Sequence, residues 1–172
     1  MTTNEGEREI NKLVLEKEFI NLIKEHERII LKICNIYCKE REDRADLYQD
    51  ILVQLWKSFP SFNGRSKIST WMYRIAFNTA VSRFRKEKRA PIKEAISVQL
   101  VSDSSNEDEN VRLLYLAIEG LNKIEKAITM LYMDGIKYKE IGEIMGLSES
   151  NVGFKINQIK RKLREKLKID MQ

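Results

Sequence analysis

The chain has 172 residues, of which 42% are hydrophobic and 33% charged, and its formal net charge is +5. These proportions are typical of a globular protein and exclude a wholly disordered one. Seven glycines and two prolines are too few for the many turns of a β-sandwich or barrel. No apolar run approaches the roughly 20 residues of a membrane span, and catalytic triads and histidine-rich metal sites have only His26 to draw on.

Nothing at the start of the chain resembles a secretory signal. The first nine residues are polar and acidic, whereas such a signal needs a basic start followed by an apolar stretch. The chain has two cysteines, Cys34 and Cys38, and disulfide frameworks belong mainly to oxidising compartments. We therefore expect a cytoplasmic protein.

Charge is concentrated in two basic blocks. Residues 51–90 carry nine basic side chains and one acidic one, and residues 151–172 carry seven and two. Between them, residues 91–110 carry one basic and five acidic side chains. Two basic blocks on predicted helices favour contact with a polyanion at two places. The simpler alternative is that these side chains only solvate helix faces.

The acidic segment over residues 91–110 is predicted to be a flexible linker. It has no helical period and contains several turn-forming Ser, Asn and Asp residues, and its like charges should keep it extended. The sequence therefore predicts an all-α chain of two small helical domains, residues 1–90 and 111–172, joined by this linker.

Apolar residues recur at helical spacing through the first domain. Residues 12–38 are predicted to form two helices with a break near His26. A further helix is expected from about Asp43 to Phe59, where Pro60 stops it. Its apolar stripe consists of Leu47, Ile51, Leu55 and Phe59.

A loop over residues 60–67 should precede the last helix of the first domain. This helix is expected to reach about Lys88, with Ser66 or Ser69 as its cap. Its buried side is predicted to contain Trp71, Ile75, Thr79 and Phe84. The opposite side is polar and basic.

In the second domain, helices are predicted over residues 111–121, 124–133, 138–145 and 150–167. The most informative pattern is a helix-turn-helix over residues 138–152. Gly142 is small where the two helices cross, Gly146 permits the tight turn, and Ser148 can cap the second helix. An incidental helical hairpin is the alternative.

The second helix of this motif has two different faces. Val152, Ile156 and Ile159 fall on its inner stripe. Its outer face presents groups that hydrogen-bond base edges, touch a thymine methyl or neutralise phosphates: Ser150, Asn151, Phe154, Lys155, Gln158 and Arg161.

Three segments, in this order, resemble those of extracytoplasmic-function (ECF) sigma factors, the minimal two-domain form of the bacterial sigma-70 family. Residues 43–56 (DRADLYQDILVQLW) are similar to the family's second conserved segment, and residues 68–78 (ISTWMYRIAFN) to the next. The helix-turn-helix resembles the family's C-terminal domain. The resemblance covers about residues 12–89 and 111–168.

This resemblance implies a sigma factor that binds core RNA polymerase and directs promoter-specific initiation. The first domain would dock on the clamp helices of the β′ subunit and melt the −10 element, and the second would meet the β flap and bind the −35 element. The positions that match the polymerase-binding segment are Asp46, Leu47, Gln49, Asp50 and Gln54. Those expected at −10 DNA are Phe62, Asn63, Arg65, Lys67, Arg74, Asn78, Ser82, Arg85 and Lys86. Those expected at −35 DNA are Ser148, Ser150, Asn151, Phe154, Lys155, Gln158 and Arg161.

The same resemblance implies no catalytic residue, no cofactor, no metal and no small-molecule substrate, so an enzyme is not expected. It implies an anti-sigma factor as a further partner, which would hold the protein at the inner membrane if it is membrane-borne.

Four positions depart from the family pattern. Asp50 replaces the more usual Glu, which should still suit a polymerase contact, and Gly142 replaces the commoner Ala. Asn122 stands where Pro is common, so a softer helix start is expected there. Gly153 occupies a position that is often basic, and Phe154 and Lys155 are expected to compensate.

Several residues allow a second interpretation. Cys34 and Cys38 could bind a metal with His26, but free cysteines are more often simply buried. The acidic cluster at residues 42–50 could hold a divalent cation, although helix-dipole stabilisation and partner contact are favoured. Trp56 and Trp71 are expected to anchor the core.

Two other functions compete with the sigma-factor interpretation. One is a stand-alone helix-turn-helix regulator, whose first domain dimerises or senses a ligand. The other is a helical enzyme acting on nucleic acid, which the shortage of catalytic residues disfavours.

Overall fold

The computed structural model describes residues 3–87 and 109–170, and this part of the chain is helical without a strand. The all-α prediction is therefore confirmed. The helices are α1 Thr3–Tyr37, α2 Arg41–Ser58, α3 Ile68–Glu87, α4 Glu109–Glu119, α5 Lys123–Met133, α6 Tyr138–Met145 and α7 Glu149–Asp170. The predicted linker over residues 91–110 lies outside the described residues, except for its last two, which begin α4.

The predicted break near His26 is wrong, because α1 continues through it as one helix. Phe19 and Ile30 are eleven residues apart, which is close to three helical turns, so both halves present their apolar side chains on one face. No proline or glycine occurs near His26 to interrupt the hydrogen bonds. The polar stretch from Lys24 to Arg28 is therefore a largely exposed part of the same helix, in which only His26 is half-buried.

The structure confirms three of the four positions predicted for the apolar stripe of α2; the fourth, Phe59, is half-buried and belongs to the turn after the helix. Leu47, Ile51 and Leu55 are completely buried, and the acidic side chains of Glu42 and Asp43 lie in the first turn, where the helix dipole favours them. A short 3₁₀ turn, Phe59–Ser61, follows α2. It contains Pro60, which ends the helix because it has no N–H to donate and its ring clashes with the preceding turn.

The buried face of α3 differs from the prediction. Trp71, Ile75, Thr79 and Phe84 are only half-buried, whereas the fully buried positions are Met72, Ala76 and Ala80. The reason is that α3 packs against α1 and α2 and also against α6. Small alanine side chains suit such close helix contacts, and the bulky ones border them.

The start of α5 is better capped than we expected from the sequence. Asn122 Oδ1 accepts a hydrogen bond from the Glu125 N–H at 2.9 Å, and the Glu125 side chain accepts one from the Asn122 N–H at 3.2 Å. This reciprocal capping box satisfies two N–H groups at the helix start. The expectation of a softer start at Asn122 is therefore wrong.

The helices before and after the linker pack on one another. α5 contacts α1, and α6 lies against α3, so one apolar core continues from the first group of helices into the second. Tyr73 and Phe77 of α3 are buried. Within residues 3–87 and 109–170, no helix is long and apolar enough to cross a membrane.

Candidate nucleic-acid interface

The exposed face of α2 presents four of the five predicted polymerase-binding residues together. Asp46, Gln49, Asp50 and Gln54 are all exposed. Leu47 is completely buried, so it does not belong to this exposed face, and its contact with polymerase stays a prediction. It lies in the core because it belongs to the same stripe as Ile51, on the side of α2 opposite the exposed residues.

Arg83, which the sequence analysis did not select, pairs with two of these acidic residues. Its guanidinium donates to Asp50 Oδ2 at 2.8 Å and to Asp46 Oδ2 at 3.4 Å. Arg83 belongs to α3, so these two hydrogen bonds link the exposed face of α2 to α3. Sequence spacing could not reveal this pair because 33 residues separate Arg83 from Asp50.

A groove of about 540 Å³ runs between α2 and α3. Asp50 and Gln54 line its α2 side, and Asn78, Ser82 and Arg83 line its α3 side. The groove therefore joins the predicted polymerase-binding residues to two of the predicted −10 residues. The two sets thus border one groove, whose lining also includes the apolar side chains of Val53 and Ile75.

The loop before α3 is anchored by aromatic packing. The ring centres of Phe62 and Trp71 are 5.1 Å apart, and Trp71 in turn packs on Phe59 at 6.5 Å. Asn63 Oδ1 accepts a hydrogen bond from the Arg65 N–H at 3.3 Å, and Gly64 adopts a φ of 72°, which favours glycine. The loop thus presents the exposed side chains of Asn63 and Arg65 from a defined turn.

One face of α3 is polar, exposed and basic. Arg74, Asn78, Ser82 and Arg85 are all exposed, and their spacing of four, four and three places them on one side of the helix. Lys86 lies in α3, but its side chain is outside the described part. This row of donors is suited to the backbone of a nucleic acid strand.

Lys67, one of the predicted −10 residues, is paired with a residue of the second group of helices. Its Nζ lies 2.8 Å from Oε1 of Glu140 on α6, and this hydrogen bond lowers the pKa of the Glu140 carboxyl. The Lys67 side chain is otherwise 69% exposed. Its partner, on the first helix of the helix-turn-helix, was not visible in the sequence.

The helix-turn-helix has the predicted geometry at its turn. Gly146 ends α6 with a φ of 67°, and Ser148 Oγ accepts a hydrogen bond from the Asn151 N–H at 3.3 Å as the cap of α7. A Cβ atom at Gly142 would lie 2.6 Å from the Leu147 carbonyl oxygen. A side chain there would therefore push the turn away from α6.

The outer face of α7 is accessible. Ser148, Ser150, Asn151 and Arg161 are exposed and Phe154 is 62% exposed. Lys155 and Gln158 are half-buried at the edge of this face. On the opposite face, Val152, Ile156 and Ile159 are buried as predicted.

Gly153 does not lie at the centre of the exposed face. A Cβ atom at this position would meet the Tyr138 ring at 3.6 Å, so a side chain would start toward α6. Phe154 is the neighbour that faces outward.

The two cysteines of the first group of helices are buried, whereas its two tryptophans are half-buried. Cys34 and Cys38 are both buried, and burial raises the pKa of the Cys34 thiol to about 12, with Cys38 as the next contributor. The core-packing interpretation of these cysteines is confirmed. Trp56 packs edge-on against Phe19 with ring centres 5.0 Å apart.

A smaller apolar groove of about 160 Å³ lies on the second group of helices. Leu114, Ile118, Ile156, Ile159 and Leu163 form its floor, and the more exposed Tyr132 and Met133 border it. At its edge, Lys160 Nζ donates to the Tyr132 hydroxyl at 2.9 Å, which raises the Lys160 pKa. Such a groove suits the apolar face of a partner helix.

Two family models match the chain on either side of the predicted linker. The model described as sigma-70 region 2 matches residues 22–90, and the model described as sigma-70, region 4 matches residues 112–163. The first match covers α2, α3 and the loop between them, and the second covers the helix-turn-helix.

Curated relatives extend over most of the chain. The ECF RNA polymerase sigma-E factor of Haemophilus influenzae is 27% identical over 171 residues, which cover 88% of this chain and 88% of the relative. The ECF RNA polymerase sigma factor SigW of Bacillus subtilis is 26% identical, with 87% and 89% covered.

Solved structures share the fold at lower identity. The sigma factor RpoE of Bartonella quintana, in complex with the anti-sigma factor NepR, has a TM-score of 0.66 and 19% identity, with 90% of this chain and 97% of that chain covered. CnrH, in complex with the cytosolic domain of CnrY, has a TM-score of 0.63 and 19% identity, with 90% of each chain covered.

Proposed function

The chain belongs to the sigma-70 family as an ECF-type sigma factor that directs promoter-specific transcription initiation, and we propose which of its surfaces perform each step. The observation that carries this assignment is the set of three exposed faces: an acidic and amide face on α2, a basic face on α3, and a polar face on α7. The stand-alone regulator is not favoured, because both halves of the chain match sigma regions.

The α2 face is proposed to bind the β′ clamp helices of core RNA polymerase. Asp46, Gln49, Asp50 and Gln54 provide exposed acceptors on one side of a helix whose opposite side is fixed in the core. Because these residues are exposed, they bind a partner without any rearrangement of the core. The polymerase supplies the chemistry, so no activity is assigned to this chain itself.

The loop and the exposed face of α3 are proposed to bind the −10 element as a single strand. Opening the duplex costs a few kcal/mol of stacking for each base that leaves the helix, so the strand must gain compensating contacts. Arg65, Arg74 and Arg85 would contact phosphates, while Asn63 and Asn78 offer amide groups to bases. These residues follow one another along the loop and the helix.

The α7 face is proposed to enter the major groove of the −35 element. The N-terminus of α7 is exposed, and its dipole favours contact with a phosphate. Ser150 and Asn151 lie in the first turn, and Phe154 presents an apolar surface suited to a thymine methyl. Lys155 and Arg161 would add backbone contacts.

The apolar groove between α4, α5 and α7 is proposed to receive the β flap of the polymerase. Its floor is aliphatic and its border carries Tyr132, Met133 and Lys160, which is the composition expected for an interface core with a polar rim. An anti-sigma factor is proposed as a further partner, since the solved neighbour RpoE of Bartonella quintana is a sigma factor in complex with the anti-sigma factor NepR. A membrane-borne anti-sigma factor would then hold this chain at the cytoplasmic side of the inner membrane.

Site-specific photocrosslinking on the reconstituted holoenzyme with a promoter tests this division. A photoreactive residue at Gln49 should crosslink to β′, one at Asn78 to the non-template strand of the −10 element, and one at Asn151 to −35 DNA. Asn21 on the exposed face of α1 is the matched control position. Crosslinks from Gln49 to DNA, or from Asn151 to the −10 strand, would contradict the assignment.

A further inference from the structure

Helix α5 carries a lysine at a buried position. Only 7% of the Lys126 surface is accessible, and the accessible part includes the ammonium nitrogen, because this atom is not fully enclosed. The next two residues, Ala127 and Ile128, are completely buried. A charged group that loses this much water needs an anionic partner to compensate for the lost hydration.

The described part of the chain does not supply that partner. Within residues 3–87 and 109–170, Lys126 makes no hydrogen bond or ion pair. Lys162, on the adjacent helix α7, differs because it pairs with Glu125. Burial lowers the pKa of Lys126, and the nearby carboxylate of Glu119 opposes this shift without offsetting it. Among these residues, Lys126 is thus a buried cation without its anion.

Two further lysines bring like charge to the same place. After burial and Glu119, the next contributors to the Lys126 pKa are the charges of Lys39 and Lys166, which both lower it, so both ammonium groups lie near Lys126. Each side chain is half-buried, and neither makes a hydrogen bond or ion pair with another described residue. These three residues form a lysine cluster whose positive charge one carboxylate does not balance.

The lysine cluster lies at the turn between α4 and α5. A Cβ atom at Gly120 would collide with Lys166 Nζ, so this ammonium group sits directly on the turn. Glu119 is the last residue of α4, and Asn122 is the N-cap of α5. The positive end of the α5 dipole therefore lies beside the cluster and favours an anion. The negative end of α4 accounts for one cation at this turn, but not for three.

The lysine cluster is distant from the residues proposed to bind −35 DNA. Ser150 and Lys166 are sixteen residues apart on α7, which corresponds to about 24 Å along the helix at 1.5 Å per residue. The major groove is only about 8.5 Å deep. A duplex that receives the N-terminus of α7 therefore does not bring its phosphates to the cluster.

We propose that Lys39, Lys126 and Lys166 bind a small anion with two or three linked phosphate groups. Lysine ammonium groups are point charges that suit phosphate oxygens, and linked phosphates carry enough charge to meet several of them at once. The anion would provide the partner that the buried Lys126 lacks. This site involves none of the residues assigned to polymerase or promoter DNA, so it stands or falls independently of the proposed function.

Thermal unfolding of the full chain with tripolyphosphate as the probe tests the proposal. Sodium chloride keeps the ionic strength constant, because a basic protein responds to salt in general. A ligand that binds only the folded chain raises the unfolding temperature. We expect a saturating rise of about 3–6 °C once the probe is tenfold above its dissociation constant. A chain whose unfolding temperature does not change with tripolyphosphate would overturn the proposal.

The Lys126→Met variant separates binding from a purely structural role. It removes the unpaired buried charge at similar side-chain length, so the chain without probe should unfold at a higher temperature than the wild type. The response to tripolyphosphate should be lost. The matched control is Lys139→Met on the exposed face of α6, which should keep the full response. A Lys126→Met chain that is less stable and still responds like the wild type would show that Lys126 serves the fold alone.

A second variant keeps the test decisive if Lys126→Met is poorly folded. Lys39→Gln with Lys166→Gln leaves the buried position intact and removes the two half-buried charges. Isothermal titration with tripolyphosphate should show at least about tenfold weaker binding than in the wild type, because each lost ionic hydrogen bond weakens binding by about that factor or more. Unchanged affinity in this double variant would contradict a site formed by the lysine cluster.

A final comparison distinguishes a free phosphate compound from the DNA backbone. Random-sequence duplex DNA replaces tripolyphosphate at the same phosphate concentration. Any stabilisation by DNA should persist in Lys126→Met, whereas stabilisation by tripolyphosphate should not. Stabilisation of the wild type by DNA alone, lost in Lys126→Met, would assign the cluster to the DNA backbone and overturn the proposal.

Discussion

Arg83 Nη1 lies 2.8 Å from Asp50 Oδ2 and thereby joins the helix proposed to bind DNA to the helix proposed to bind polymerase. The Arg83 side chain is only 21% exposed, whereas that of Asp50 is 53% exposed. The arginine is therefore held in the groove, and the carboxylate remains available at its surface.

The Arg83→Gln variant should lower the free energy of unfolding by about 1 kcal/mol, because partly exposed ion pairs contribute about 0.2–1 kcal/mol each and Arg83 pairs with two carboxylates. Urea denaturation measures this change. Arg85→Gln, two residues along the same helix and exposed, should have a smaller effect. In a chain that already carries Asp46→Asn and Asp50→Asn, the Arg83 substitution should lose most of its effect. An equal loss of unfolding free energy in both backgrounds would show that the ion pairs do not contribute to stability.

Two glycine-to-alanine substitutions should have opposite effects. Gly142→Ala should destabilise the chain by about 1–3 kcal/mol, because the new Cβ would lie 2.6 Å from the Leu147 carbonyl oxygen and the turn would have to shift. Gly153→Ala meets only the Tyr138 ring at 3.6 Å. It should stabilise α7 by up to about 1 kcal/mol through helix propensity. Urea denaturation of both variants checks this, and a stabilising Gly142→Ala would contradict the close approach.

Substitutions on the exposed face of α2 should lower the affinity for core RNA polymerase without unfolding the chain. Asp46→Ala with Gln49→Ala should weaken binding to core RNA polymerase at least about tenfold, as expected when polar contacts near the centre of an interface are removed. Titration of labelled chain with core polymerase measures this. Glu18→Ala with Asn21→Ala on α1 is the matched control, since it removes an exposed acid and an exposed amide at the same spacing. The assignment of this face fails if both double variants bind equally well.

The exposed face of α7, which is proposed to bind −35 DNA, should contribute a salt-dependent part of the DNA affinity. Lys155→Ala should weaken transcription from promoters with a −35 element. The slope of the logarithm of the binding constant against the logarithm of the salt concentration should become shallower by about one, because one phosphate contact is lost. The measurement is holoenzyme binding to a promoter at several salt concentrations. A promoter without a −35 element is the control, and an equal loss on both promoters would argue against contact by Lys155.

The sequence predicted local features well where one helix decides them. The turn at Gly146, the cap at Ser148 and the buried stripe of Leu47, Ile51 and Leu55 depend on neighbouring residues or on helical period. The break expected near His26 was wrong because a polar stretch inside a helix has the same composition as a helix end. Helical phase across Phe19 and Ile30 would have indicated one helix.

Features that depend on contacts between distant segments were not predictable. Trp71 is half-buried because it packs on Phe59 and Phe62 of the segment before α3, and Ile75 because it lines the groove between α2 and α3. The pair of Lys67 with Glu140 depends on the contact between the end of this segment and α6. Arg83 was missed for a similar reason, because its partners lie on another helix. Asp134, which accepts hydrogen bonds from Lys32 and Tyr73, had a signal in the sequence. It stands at the C-terminal end of α5, where the helix dipole disfavours an acid, which indicates that its partner lies elsewhere.

Transcription by core RNA polymerase from a randomised promoter library, with and without this chain, tests the central claim most directly. Core polymerase should come from the bacterium that encodes the chain. The account predicts that the chain binds core and yields transcripts from a distinct set of promoters that share both a −35 and a −10 sequence. A folded chain that neither binds this core nor changes the transcripts would contradict it.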